Sequence, residues 1–116
     1  MKELKIVKQD IQLKGILYKI KHEKQFVEIL FTFHAIERIK KWKLEVQMVI
    51  ETLLFPEEVL IGHNKRFIAH RRYGDHIVRA IYEYEDDVPI VITVYFPYKD
   101  RYFQGGNTYE DKILKG

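Results

Sequence analysis

Three groups of side chains have the types and spacing to handle a phosphate. His34, Arg38 and Lys41 stand at i, i+4 and i+7. A helical rotation of about 100° per residue therefore lines them up as one polar ridge beside the apolar stripe Ala35, Ile39 and Trp42. An imidazole that titrates near neutrality can give or take a proton, and a cation one turn away can steady an anion. A second group closes the last strand, with Thr93 and Tyr95 in Ile92-Thr93-Val94-Tyr95 followed by Lys99, Arg101 and Tyr102. The third is His70, Arg71 and Arg72 with Arg79. It comes from the stretch His63 to Arg79, where Lys65, Arg66 and these three arginines face the single acid Asp75.

One domain must position these groups, since 116 residues at 47% hydrophobic content bury one core with little room for a second. The net charge of +3 is mild, so its distribution matters more than its sum: the basic stretch is followed by the acidic Glu83 to Asp87. No apolar run approaches the roughly 18 residues of a membrane span, and the Lys-rich start lacks the long apolar stretch of a signal peptide. A soluble, cytoplasmic protein is the expectation. Cysteine and serine are both absent, which removes disulfides, thiolate metal sites and the two commonest nucleophiles. The five histidines, at 22, 34, 63, 70 and 76, show no H-x-x-x-H spacing, so no metal and no cofactor is expected. Gly105-Gly106-Asn107 does not open a helix after a strand and reads as a turn.

The elements follow from periodicity. Residues 1–25 fit neither a period of 2 nor one of 3.6, and either a helix or a short hairpin on the domain edge fits them. FVEILFTF, Phe26 to Phe33, reads as a buried strand. Thr32 stands as the N-cap of a helix from about Phe33 to Trp42. A second helix is marked by Val46, Val49, Ile50 and Leu53 and ended by Pro56. Strands follow at Val59 to Gly62, Arg66 to Tyr73, His76 to Glu85 and Val88 to Phe96, joined by hairpin-length separators as an antiparallel meander. Alternation turns Phe67, Ala69, Val78, Ala80, Tyr82, Ile90, Ile92 and Val94 toward the helices, and His70, Arg72, Arg79, Thr93 and Tyr95 to the other face.

The order of elements, with T-x-H-A-x-x-R at Thr32, His34, Ala35 and Arg38 and the closing strand Val91 to Tyr95, resembles a family of small proteins of unassigned function grouped with the RelE/ParE-like toxins. The resemblance covers about Phe26 to Phe103, and ITVYFPYKDRYF, Ile92 to Phe103, is its most specific part. It implies an α+β fold in which two short helices pack on one face of an antiparallel sheet of four to five strands. The layout would be residues 1–25 as an edge segment, 26–103 as a RelE-like core and 104–116 as a C-terminal tail of a single domain, 1–116.

Toxins of this kind cleave mRNA without metal, with the 2′-OH of the RNA as nucleophile. The resemblance therefore implies a metal-independent endoribonuclease of a toxin–antitoxin pair. His34, Arg38 and Tyr95 would be its catalytic groups, and Lys41, His70, Arg71, Arg72, Arg79, Thr93, Lys99, Arg101 and Tyr102 its RNA contacts. RNA or the ribosome, a cognate antitoxin and a further copy of the chain are the partners expected. Two rivals stand beside it: a non-catalytic module of the same fold that binds RNA or protein, and a ParE-like inhibitor of gyrase.

Overall fold

The computed structural model describes residues 3–115. The segment without a clear period forms a hairpin, β1 (Lys5–Ile11) and β2 (Gly15–His22), which β3 (Gln25–Thr32) extends. A bulge between Ile6 and Lys8 interrupts the alternation of β1, which is why no period of 2 shows there. Gly15 is required by close approach, because a Cβ at that position would lie 2.0 Å from the carbonyl oxygen of Phe31.

Two helices follow, α1 (Phe33–Lys41) and α2 (Val46–Leu54). Thr32 caps the first as expected, its Oγ1 accepting from the Ala35 N–H at 3.1 Å. The remaining elements are β4 (Glu58–Ile61), a 3₁₀ turn at His63–Lys65, β5 (Phe67–Tyr73), β6 (His76–Glu85), β7 (Val88–Tyr95) and α3 (Lys99–Tyr102). The strands make one sheet in the order β1-β2-β3-β7-β6-β5-β4.

This corrects the expected fold. The sheet has seven strands rather than four to five, and it is mixed: β3 runs parallel to β7, pairing Leu30 with Ile90 and Phe31 with Val91, while every other pair is antiparallel. Two strands come from the N-terminal segment. The parallel pair arises because the chain leaves β3 through two helices and a meander before returning beside it. Nor do all the helices share a face. The apolar residues of α1 and α2 pack with Tyr18, Ile29, Phe31, Val78, Ala80, Val91 and Val94 as one core. The end of α3 lies on the opposite face, where Tyr102 covers Arg79.

Past Phe31, α1 takes over the place that β3 held beside β7. Thr32 Oγ1 donates to the Ile92 carbonyl and Trp42 Nε1 to the Val94 carbonyl, each at 3.2 Å, so two acceptors that lack a strand partner are satisfied by side chains. This fixes Trp42 at the end of β7. At the other edge the C-terminal segment is a strap rather than a tail. It bonds Glu57 and Val59 through the backbone of Asn107, Thr108 and Glu110. It then turns onto the core face, where Asp111 accepts from the hydroxyls of Tyr82 and Tyr84 at 2.7 and 2.6 Å. Among the described residues no helix is long and apolar enough to cross a membrane.

Candidate functional site

Register decides which polar side chains meet. His70 pairs with Arg79, Arg79 with Tyr95, Arg72 with Ile77 and Ile81 with Thr93, so His70, Arg72, Arg79, Thr93 and Tyr95 all face away from α1 and α2. A bulge beside Ile81 leaves Ile92 out of phase, so Val91 rather than Ile92 joins Val94 in the core. Arg71 points the other way. Its guanidinium donates to the Phe55 carbonyl at 2.7 Å and lies 3.8 Å from Glu51 on α2, so it fastens the end of that helix and leaves the expected basic surface.

At the centre of the outer face is a buried chain of three groups. His70 and Glu58 are each 0% exposed, and His70 Nδ1 lies 2.6 Å from Glu58 Oε2. On the far side of the ring, Nε2 lies 2.9 Å from Arg79 Nη1. A guanidinium only donates, so Nε2 must accept, and the proton of the neutral imidazole sits on Nδ1, which donates to Glu58. Burial and the Arg79 charge hold the His70 pKa below its ordinary value, against the opposing pull of Glu58. The remaining capacity of Glu58 is filled by the backbone N–H groups of Gln104 and Gly106. His70 is therefore sealed beneath the surface on which it was expected. It is a strut that aims Arg79.

Arg79 is half-buried, and burial pushes its pKa down. Its guanidinium lies 4.2 Å from the centre of the Tyr102 ring, whose other neighbour is Arg101 at 5.8 Å. Among the described residues no carboxylate stands within ion-pair distance of it. The contrast with Arg72 is sharp. That residue grips Glu57 through Nε and Nη2 at 3.1 and 3.0 Å, stacks on Phe103, and holds the Glu57 carboxyl below the usual carboxylate range.

Arg79 opens into a cleft of about 680 Å³ lined by Trp42, His76, Ile81, Tyr95, Phe96, Pro97, Tyr98, Arg101 and Tyr102. His76 is stacked on Phe96 and tilted against Tyr98, at 4.7 and 4.4 Å between ring centres. Lys41 does not line the cleft; its ammonium lies 5.1 Å from the centre of the Trp42 ring. His34 is exposed and Arg38 half-buried on the same ridge of α1, and the side chains of both are without hydrogen bond or ion pair among the described residues. Thr93 is buried, and its Oγ1 has no partner among the described residues. Lys99 opens α3 and does not line the cleft.

Tyr95, Arg79, Arg101 and Tyr102 of the expected set thus converge. Arg71 and Arg72 are engaged elsewhere. Sequence reasoning missed Glu58, His76, Trp42 and Tyr98. The signal for Glu58 was a hairpin register that sets it opposite His70, which becomes readable only once the turn at His63–Lys65 is known. Among the described residues no three His, Asp or Glu side chains converge as a metal site.

The fold and cleft define a mixed α+β domain with a cationic, aromatic recess at the end of its central strand. Residues 31–96 match a family described as a domain of unknown function (DUF4258), and the chain belongs to that family. No curated protein and no solved structure matches it. The matched region holds Glu58, His70, Arg79, His76 and Tyr95. The β1–β2 hairpin, α3 and the strap lie outside it.

Proposed function

We propose that this domain binds single-stranded RNA, with a phosphate on Arg79 and Arg101 and an unpaired base against the Trp42, Tyr95, Tyr98 and Tyr102 rings. The observation that carries the reading is Arg79 itself. A half-buried cation without a counter-charge is costly, and here a buried Glu58–His70 strut holds it in place at the floor of an aromatic recess. Aromatic rings take up unstacked bases of any sequence, while a paired helix hides its bases from them. Titrating the protein with a short single-stranded oligoribonucleotide and with a duplex of the same length tests it. Preference for the single strand is expected, and equal affinity would count against the cleft.

The imidazole of His76 within the cleft favours a second step, the metal-independent cleavage expected of a toxin-like endoribonuclease. In that reaction a base takes the 2′ proton, the 2′ oxygen attacks the phosphorus, and an acid protonates the departing 5′ oxygen while cations hold the phosphate. His76 and Tyr95 are the groups at hand, and His34 lies along the neighbouring ridge. Incubating RNA with pure protein in a chelator tests this. Cleavage that survives in His76→Ala and His34→Ala alike would remove both as proton carriers, and binding without cleavage would leave the non-catalytic module. A toxin role also requires a neutralising partner, so an adjacent reading frame for a small acidic protein would support it.

A further inference from the structure

The hairpin outside the matched family region carries its own basic surface. β1 and β2 pair Lys5 with Lys21 and Lys8 with Lys19 across the strands, and Phe26 of β3 stands opposite Lys21. Like charges set directly opposite each other destabilise a sheet, so the arrangement works against the fold that carries it. Among the described residues none of the four lysines joins an ion pair, although Glu28 is opposite Lys19 and Asp10 is on the same face. Lys19 and Lys21 instead lie over the Phe26 ring at 5.0 and 5.9 Å, and that ring is 56% exposed. Two cations over an exposed aromatic, with two more on the neighbouring strand, repeat on an open sheet the chemistry of the cleft.

Position links the two. Lys19, Lys21 and Phe26 are out of phase with the core residues Tyr18, Ile20 and Ile29, just as Arg79 and Tyr95 are out of phase with Val78, Ala80 and Val94. Both groups therefore face away from α1 and α2. Because β3 and β7 run parallel, Phe26 at the start of β3 and Tyr95 at the end of β7 mark opposite ends of that face. At about 3.3 Å per residue, the eight residues of β7 span roughly 25 Å.

We infer that the β1–β3 face is a second RNA-contacting surface, which holds the phosphates of a strand whose other end occupies the cleft. It extends the reading under Proposed function but rests on different residues. Two weak contacts on one strand add up as avidity, so the surface should matter only for RNA long enough to span both.

The test compares single-stranded RNA of about 4 nucleotides with RNA of about 20, bound to the parent and to the variant Lys5→Gln/Lys8→Gln/Lys19→Gln/Lys21→Gln. The variant should melt close to the parent, because the repulsion removed offsets the two contacts to Phe26 that are lost. It should bind the short strand as the parent does, and the long strand more weakly, with a slope of log K against log salt flatter by up to about 3 units at roughly 0.7 per contact. An unchanged slope with the long strand overturns the inference. Arg79→Gln separates the two sites: long-strand binding that persists there and depends on the lysines supports this surface while sinking the cleft. Loss in Arg79→Gln with no effect of the lysines does the reverse. Binding of polyglutamate but of neither RNA would assign the surface to an acidic protein and overturn both.

Discussion

Arg79 and Arg72 lie on one sheet face yet have opposite fates. Arg72 is neutralised by Glu57, whereas Arg79 spends one N–H on a neutral imidazole and has no carboxylate partner among the described residues. Arg79→Gln should therefore lower RNA affinity about 10- to 100-fold, the scale of one charge-assisted contact, while Arg72→Gln changes it little; equilibrium binding of both variants checks the contrast. The strut adds a pH dependence with a definite sign. His70 has its folded pKa depressed, so the stability due to its neutral form is complete above the ordinary histidine value of about 6.5 and is lost as pH falls below it. Protonation also removes the acceptor that aims Arg79. RNA binding should thus weaken once pH falls through the depressed folded value of His70, against the gain that extra positive charge alone would give, and binding that only strengthens after the buried ring has taken its proton would contradict the strut. Glu58→Ala strands three donors at once, from His70, Gln104 and Gly106, and should cost about 3 kcal/mol or more in denaturant unfolding.

At the scale of elements, α1 is held by its own start and end. Thr32 caps the helix and also covers the Ile92 carbonyl, so Thr32→Ala should cost about 1–2 kcal/mol, read from the urea midpoint at constant m. The cap and the helices were legible in the sequence because Thr32 precedes a 3.6-residue period and Pro56 stops one. The meander was legible because its strands alternate and its turns are short. The hairpin was legible only as one of two readings of residues 1–25, since the Ile6/Lys8 bulge and the exposed Ile11 and Leu13 erase the alternation that would have chosen it over a helix. Arg71 and Arg72 show the limit for the site: adjacent residues of one strand look like one basic cluster, but the pleat sends them to opposite faces.

The whole molecule is closed by its ends. α3 and the strap supply Tyr102, Arg101 and two backbone donors to Glu58, then fasten to the far face through Asp111. None of this could be read from Gly105-Gly106-Asn107 as a turn, because the contacts are long-range, such as Tyr82 with Asp111 and Glu58 with Gly106, 29 and 48 positions apart. The seven strands likewise depend on a long-range event, the parallel docking of β3 on β7. Trp42 is the chain's single tryptophan and borders the cleft, so its fluorescence reports directly on what enters. A titration with short single-stranded RNA should change that emission saturably, with an affinity that falls as salt rises, and the change should be largely lost in Arg79→Gln. An emission that ignores RNA, or responds identically in Arg79→Gln, would contradict the assignment of the cleft.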